Sequence, residues 1–472
     1  MACFDKIDRN ARRLCDQSTV GDRAVTTTFL LRDTTNLKAN VAQAWVAGWI
    51  NGGTTNFQVL QGDGSFGGGA SPASVPFYLV SAVPSVSLSV ATNGNDRLLF
   101  AVSATKPTAL AVSSSQPTQY TQYPYANTPG VAAPGPFDVF EFGMDAQDDV
   151  SAVSGFGLNL AFSVTIGGVL QQFGAQGSVT RAAIGKAFTA FIDNEAKKLP
   201  AATAFAQLLY DGPITSGAPA PPAVDNQYFA IADPNDMLGA LTGNYVNAIV
   251  NPLTSYWDST LTAFFAVGNY LSINLSSNPP APNIYSGVSS KQTNPKTRVE
   301  SPAFTLSNGA NSYTFFMPLA SGATLPGQTG AQYVFQQAFG DLTPAGSAGD
   351  AGLLQDCIWE ALCRGVALDG ISATAITKGE STAAWNKAAN WYQAGKVSHL
   401  YAKFLHYSTS TGTDSRAGGT PIMYGNAAYG FSMDENPLGP YAGPNVPSKT
   451  VQNVPDGSTV TVYVGPWDVV VD

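Results

Sequence analysis

Charge is scarce in this sequence. Asp, Glu, Lys and Arg make up 12% of 472 residues, against about 25% in an ordinary soluble domain. The surface must therefore be built from Ser, Thr, Asn, Gln, Gly and Ala, as suits a protein working outside cells or packed in an assembly. The net charge is −9 and Lys and Arg form no cluster, which argues against nucleic acid held by counterion release. Cysteine is scarce as well. Cys3, Cys15, Cys357 and Cys363 are too few for a disulfide scaffold. Cys3 and Cys15 are near enough in sequence to pair. Cys357 and Cys363 fall on nearly opposite sides of an expected helix, and free buried thiols are the favoured reading for all four. His399 and His406 are the only imidazoles, and no CxxC or HExxH spacing occurs, so neither metal nor cofactor is expected. No window of some twenty apolar residues offers a membrane span, so membrane insertion is not expected. The stretch from Met1 to Cys15 carries charges but lacks the apolar run of a secretory signal.

Apolar material is plentiful: 44% hydrophobic residues, with 25 Phe, 19 Tyr and 7 Trp. That is enough for a large core and for two or more structural units. Strands are expected at Thr26–Leu31, Ala44–Ile50, Phe77–Val80, Ser85–Val90 and Leu98–Val102, separated by Gly/Asn/Ser turns. After a polar loop from Ser113 to Pro136, strands follow at Phe137–Phe142 and Val150–Ile166. Near Thr180 the period changes: Ile184, Ala187, Phe188, Phe191 and Ile192 recur at helical spacing, and Pro200 marks the stop. Further helices are expected after Asp233-Pro234-Asn235-Asp236 and on to Ile249, from Asp350 to Val366 and from Ala383 to Tyr407, with strands at Ala303–Leu306 and Tyr313–Pro318. The end returns to strands at Tyr429–Met433 and Thr459–Val464. The simplest organisation is mainly β with an α/β insert. A β-sandwich or barrel of residues 20–180 and 410–472 would be closed by both ends of the chain. A mixed α/β domain of residues 181–409 would be inserted, with a ligand cleft between the two.

The densest acidic stretch is Phe137–Leu160, with Asp138, Glu141, Asp145, Asp148 and Asp149. On a strand, Phe140 and Phe142 face one way while Val139, Glu141 and Gly143 face the other. A Glu fixed between two core aromatics suits general-acid work in a cleft; an edge strand with solvated acids is the competing reading.

Several segments here resemble a known family. DVSAVSGFGLNL (residues 149–160) is similar to its Asp-Val-Ser-x-Val-Asp-Gly-Phe-x-Leu-Pro, and Phe140-Glu141-Phe142 to its Glu-Phe-Thr strand. Arg97-Leu98-Leu99-Phe100 and Thr108–Val112 resemble two strands that precede it. Leu362–Val366 is similar to a helix end reading Leu-Asn-Arg-Gly-Val, and Tyr429–Glu435 to Tyr-Gly-Phe-Ala-Tyr-Asp-Asp. Thr459–Gly465 resembles the closing strand. In order from about residue 20 to 467, these motifs resemble the β-1,3-glucanases of glycoside hydrolase family 64, whose β-domain is thaumatin-like. Plain thaumatin-like proteins are shorter and rich in disulfides.

The resemblance implies endo-cleavage of β-1,3-glucan with inversion, an extracellular setting, and two carboxyl groups about 6.5–9.5 Å apart to admit a water. The family's acid falls on Glu141. Its base falls on Ser154, and a Ser hydroxyl cannot serve as a carboxylate base. Its Thr falls on Gly143 and its substrate-contacting Asn near Asp145. Asp145 would share the face of Glu141 if the strand continued. Asp149, an odd number of residues before Ser154, would by parity face away from it. Asp434 and Glu435 are further candidates from the closing segment. Trp45, Trp49, Tyr256, Trp257, Trp385 and Trp391 are candidate sugar platforms, with core packing as the alternative. Tyr120, Tyr123 and Tyr125 could line a sugar groove or an assembly contact. Two functions are thus expected in competition. One is a β-1,3-glucan-active enzyme with reduced or lost hydrolysis, for want of its base. The other is a non-catalytic glucan-binding lectin, or a self-assembling subunit of an extracellular or viral-type assembly.

Overall fold

The computed structural model describes residues 26–51, 57–68, 73–89, 96–112, 135–142, 148–152, 155–210, 228–234, 237–238, 252–275, 282–320, 329–336, 349–371, 381–424, 454–455 and 457–467. The chain is mainly β with several sheets and intervening helices, as the sequence pattern implies.

Two sheets face each other. The first is five-stranded, ordered Val169–Gly174, Leu160–Ile166, Thr459–Val464, Thr27–Asp33 and Ser85–Leu88. Thr459–Val464 runs parallel to Thr27–Asp33, with Phe29 beside Val460 and Leu31 beside Val462, and antiparallel to Leu160–Ile166. The second sheet is seven-stranded. It contains Asp149–Ser151, Phe137–Phe142, Asp96–Ser103, Gln43–Asn51, Phe57–Leu60 and Phe66–Gly68 in that order, and Tyr78–Leu79 also pairs with Gln43–Asn51. Alternate residues of both sheets meet in one apolar layer that includes Phe29, Leu98, Phe100, Phe140, Phe142, Phe162, Val460 and Val462. Removing these rings and methyls from water is the main force holding the sheets together.

The opposite face of the seven-stranded sheet belongs to a second and larger core. There Trp45, Trp49, Leu99 and Ala101 share a cluster with Phe188, Phe191, Trp257, Phe335 and Phe404. The helix Arg181–Ala196 starts where the sequence places it. Thr180 caps it by accepting a bond from the Ala183 amide, and Ile184, Ala187, Phe188, Phe191 and Ile192 are buried on one stripe. A 3-10 turn begins at Pro200. The helix Gly349–Cys363 carries the buried, free Cys357 and Cys363.

Three expectations are corrected. Val150–Ile166 is three strands, Asp149–Ser151, Gly155–Phe156 and Leu160–Ile166, because the chain leaves one sheet and enters another there. The single helix expected from Ala383 to Tyr407 is broken into Ser381–Trp385, a 3-10 turn at Ala388–Asn390, and Leu400–Tyr407. Trp391 is extended, while Tyr392 and Gly395 take positive φ of 54° and 80°, which no helix tolerates. The antiparallel sheet formed by Tyr270–Asn274, Ile284–Thr293, Glu300–Ser307 and Ser312–Phe316 was anticipated only in its last two strands. The helix expected after Asp236 and on to Ile249 and the strand Tyr429–Met433 lie largely or wholly outside the described residues, as do Cys3 and Cys15.

Candidate active site

The strand Phe137–Phe142 presents two faces of opposite character. Phe140 and Phe142 are fully buried between the sheets, their ring centroids 5.8 and 4.8 Å from that of Phe29. Val139 and Glu141 are only partly buried. Packing of the two Phe rings thus fixes the backbone on one side and aims Glu141 to the other.

Cross-strand register decides what stands beside Glu141. Arg97 is its partner on one neighbouring strand and Asp149 on the other. Trp49 is the next in the row, opposite Arg97, followed by Val59 opposite Trp49. Directly opposed residues of adjacent strands share a face, with Cβ atoms about 4.5–5.5 Å apart. Asp149, Glu141, Arg97 and Trp49 therefore form one row across the sheet. Arg97 Nη2 lies 2.9 Å from Glu141 Oε1, the two side chains being 9% and 21% exposed. A guanidinium has donors only, so this contact orients the carboxylate with Oε1 as acceptor. Asp149 is buried at 6% exposure, and Asp148 and Asp96 are buried at 1% and 0%.

The segment that follows Asp149 is pinned from both sides. The Tyr401 hydroxyl donates to the Ala152 carbonyl at 2.8 Å. Gly155 and Phe156 pair with Ala232 and Ile231 of the strand Ala230–Ala232. The Gly157 and Leu158 amides donate to Asp138 Oδ2 at 2.8 and 2.6 Å. Arg181 Nε donates to the Gly157 carbonyl at 2.6 Å, and its Nη2 to the carbonyls of Tyr228 and Phe229, each at 2.7 Å. The Arg181 guanidinium is sandwiched between the Tyr228 and Trp467 rings, at 3.8 and 4.4 Å from their centroids. Burial pushes the Asp138 carboxyl well above the usual carboxylate range, against the opposing pull of the two amides and of Arg181.

Of the residues expected in the site, Glu141 and Asp149 are brought together on one face. Ser154, Gly143, Asp145, Tyr120, Asp434 and Glu435, and likewise Tyr123 and Tyr125, lie outside the described residues. The aromatic platforms are corrected. Trp257 is wholly buried, its ring 5.2 Å from Tyr256 and 5.7 Å from Phe335, so core packing takes the surface a sugar would need. Trp45 is 8% exposed, with Nε1 donating to the Ser103 carbonyl at 3.2 Å. Trp49, Tyr256, Trp385 and Trp391 are buried too. His399 caps the helix Leu400–Tyr407, its Nδ1 accepting from the Ala402 amide at 3.3 Å, and Nε2 lies 4.0 Å from Asp233 Oδ1. Arg181 and Tyr401 were not singled out from sequence, and Arg97 and Asp138 entered only within a motif and an acidic stretch, without a role of their own. Arg97 and Arg181 are two of only 23 Lys and Arg residues, and that scarcity is the one sequence signal that could have drawn attention to them.

A mainly β scaffold is what the motif resemblance implies, here with a partly buried, ion-paired carboxylate on the sheet face turned toward the second core, and solved structures lead to the same class. A family 64 β-1,3-glucanase domain from Clostridium beijerinckii aligns over 95% of this chain and 100% of its own, with 16% identity and a TM-score of 0.52. The laminaripentaose-producing family 64 β-1,3-glucanase from Paenibacillus barengoltzii aligns over 96% of this chain and 78% of its own, with 14% identity and a TM-score of 0.50. The chain thus has a fold like that of family 64 β-1,3-glucanases. No protein-family model matches it, and neither does any curated protein sequence.

Proposed function

We propose that this protein recognises β-1,3-glucan on the fold of the family 64 glucanases and that its hydrolysis is lost or strongly reduced. The observation that carries the reading is the pair formed by Glu141 and Arg97, fixed on the outward face of the strand that resembles the family's acid-bearing strand. Ser154 stands where the resemblance expects the base, and a hydroxyl has no comparable proton affinity. Asp149 is a poor substitute for it. It is the register partner of Glu141 on the adjacent strand, so both carboxyls rise side by side from one face of the sheet. Inversion needs the two carboxyls on opposite sides of the ring, about 6.5–9.5 Å apart. In this reading residues 20–180 and 410–472 form the β unit, residues 181–409 form the α/β unit, and the glucan lies between them. The test is incubation with laminarin alongside calorimetric titration with laminarihexaose. Binding without release of oligosaccharides is expected; brisk release would overturn the lost chemistry, and absence of both would overturn the glucan reading.

A second reading, a self-associating structural subunit, is favoured by one observation. Val169 and Leu170 are 62% and 59% exposed at the start of Val169–Gly174, a strand without charge or proline at the end of the five-stranded sheet. Such strands invite pairing with another chain. Sedimentation velocity across a concentration series tests it: a single monomeric species would sink it.

A further inference from the structure

The two edges of the five-stranded sheet differ. The edge at Ser85–Leu88 is covered. There the Ser87 amide donates to the Gly64 carbonyl at 2.9 Å, and the turn presses so close that a Cβ at Gly64 would strike the Ser85 carbonyl oxygen. The edge at Val169–Gly174 is covered only beyond its end. The Gln176 amide donates to the Ile422 carbonyl at 2.9 Å, its side chain donates to the Pro421 carbonyl at 2.8 Å, and Ala175 bridges to Met423. The Ala175 amide turns the other way and donates to Leu160 at 2.8 Å, which fixes the alternation along the strand. Odd-numbered residues turn their peptide groups toward Leu160–Ile166, and even-numbered ones turn theirs off the sheet. Among the described residues, Val169–Gly174 pairs with Leu160–Ile166 alone. The N–H and C=O groups of Leu170 and Gln172 therefore form an open edge. Charge, proline and bulges usually blunt such edges, and Val169–Phe173 carries none of them. The stretch without an ionisable side chain runs from Gly155 to Thr180, in a chain of net charge −9.

We propose that this edge pairs with the same edge of a second copy of the chain, antiparallel and about a two-fold axis at Gln171, so that two five-stranded sheets become one. The inference rests on the self-association reading and adds its surface and its register. A head-to-tail row of sheets would need two open edges, and the edge at Ser85–Leu88 is closed. A single open edge is left to meet itself, which is the two-fold, self-complementary kind of contact. The residues Pro421–Met423 block pairing beyond Gly174, so the register must fit within Val169–Phe173, whose centre is Gln171. Leu170 then faces the partner's Gln172, and the groups that point off the sheet exchange two bonds in each such pair. Val169 faces the partner's Phe173 on the side of the apolar layer, where Phe173 is held by Phe162 with ring centroids 4.9 Å apart. The exposed Val169 side chain thereby gains an apolar neighbour. Gln171 meets the partner's Gln171 with Cα atoms about 4.5 Å apart, and each amide offers the other both a donor and an acceptor. Two net-negative copies repel, and a charge-free edge is where that repulsion opposes contact least.

The experiment compares the full unmodified chain with Gln171→Glu, with Gln171→Lys and with an equimolar mixture of the two variants. Sedimentation velocity over a concentration series gives the dimer Kd. The unmodified chain should show a monomer–dimer equilibrium. Either variant alone should raise Kd by roughly tenfold or more, because like charges would confront each other at the axis. The mixture should recover association, since Glu then faces Lys. Amide hydrogen exchange in the unmodified chain is the second readout. At Leu170 and Gln172 it should slow by about tenfold or more between dilute and concentrated protein. If neither variant folds, exchange decides. A chain that stays monomeric at every concentration overturns the self-association reading and this inference with it. Self-association that both variants leave unchanged keeps that reading and overturns this surface. Growth beyond dimers overturns the two-fold register. Slow exchange at Leu170 and Gln172 already in dilute protein would mean that another part of the chain covers the edge, and overturns the proposal as well.

Discussion

Glu141 stands between Arg97 and Asp149 on neighbouring antiparallel strands, with the guanidinium 2.9 Å from its carboxylate. Arg97 thus stands in a row that also carries two acids. The arrangement favours a fixed, oriented carboxylate over one free to swing toward a ligand, and four tests follow from it and from its surroundings.

Arg97→Ala removes the guanidinium that pairs with a carboxylate that is 21% exposed. A cost on the order of 2 kcal/mol is expected, since breaking a half-buried pair strands the remaining charge. Urea denaturation measures it. Glu141→Gln, which keeps the shape and an acceptor oxygen, should cost less than Arg97→Ala and should abolish whatever laminarin cleavage the unmodified chain has.

Ser154→Asp returns a carboxylate to the position where the resemblance expects the base. If the remaining site is intact, laminarin hydrolysis should rise by about 10²–10⁴-fold, the usual worth of a positioned acid–base group. Chromatography of the released oligosaccharides reads the result, and no gain would mean that more than the base has been lost.

Trp257→Ala separates a sugar platform from a core residue. The ring is wholly enclosed by partners that include Tyr256 and Phe335, so truncation should cost about 3–5 kcal/mol of stability. Affinity of the folded variant for laminarihexaose should stay unchanged. A loss of affinity with little loss of stability would restore the platform role.

Asp138 makes a pH prediction whose sign is fixed by its environment. Its folded-state carboxyl is raised above the ordinary value of 3.8, chiefly by burial. From that value upward to its folded pKa, the native state binds more protons than the unfolded state, and stability falls as pH rises. Asp138→Asn removes the titration. The difference in stability between Asn variant and unmodified chain should therefore grow in favour of Asn as pH increases above about 4. Thermal unfolding in a pH series from 4 to 7 checks this, and a flat or opposite difference would show that the amides and Arg181 outweigh burial.

The legible parts of this fold were those with a strong local period. Phe137–Phe142 alternates so regularly that both its bounds and its faces follow from the residues, and the same holds for Thr459–Val464. The helix at Arg181 is legible from its Thr cap and apolar stripe. Ile284–Thr293 was illegible because its Ser, Gln, Lys and Thr residues carry no apolar alternation; pairing on both edges makes it a strand. The break at Tyr392 was hidden for the opposite reason, since aromatic residues fell at helical spacing while Trp391 went to cover Arg364, 4.2 Å from its ring. In the site, parity could place Asp149 only relative to Ser154. Its relation to Glu141 crosses a turn, and register across a turn cannot be counted along a single strand. The roles of Asp138 and Arg181 stayed hidden because they are bonds to peptide groups far along the chain.

The middle strand of the five-stranded sheet is Thr459–Val464, and Thr34 beside it reaches the Val464 carbonyl across 430 residues of sequence. A chain emerging from the ribosome therefore carries two half-sheets, Thr27–Asp33 with Ser85–Leu88 and Leu160–Ile166 with Val169–Gly174, split by a vacancy one strand wide. Until residue 464 has been made, the greasy inner side of that sandwich stays unsealed. Late closure of this kind slows folding and lengthens the time during which apolar surface is open to neighbouring chains.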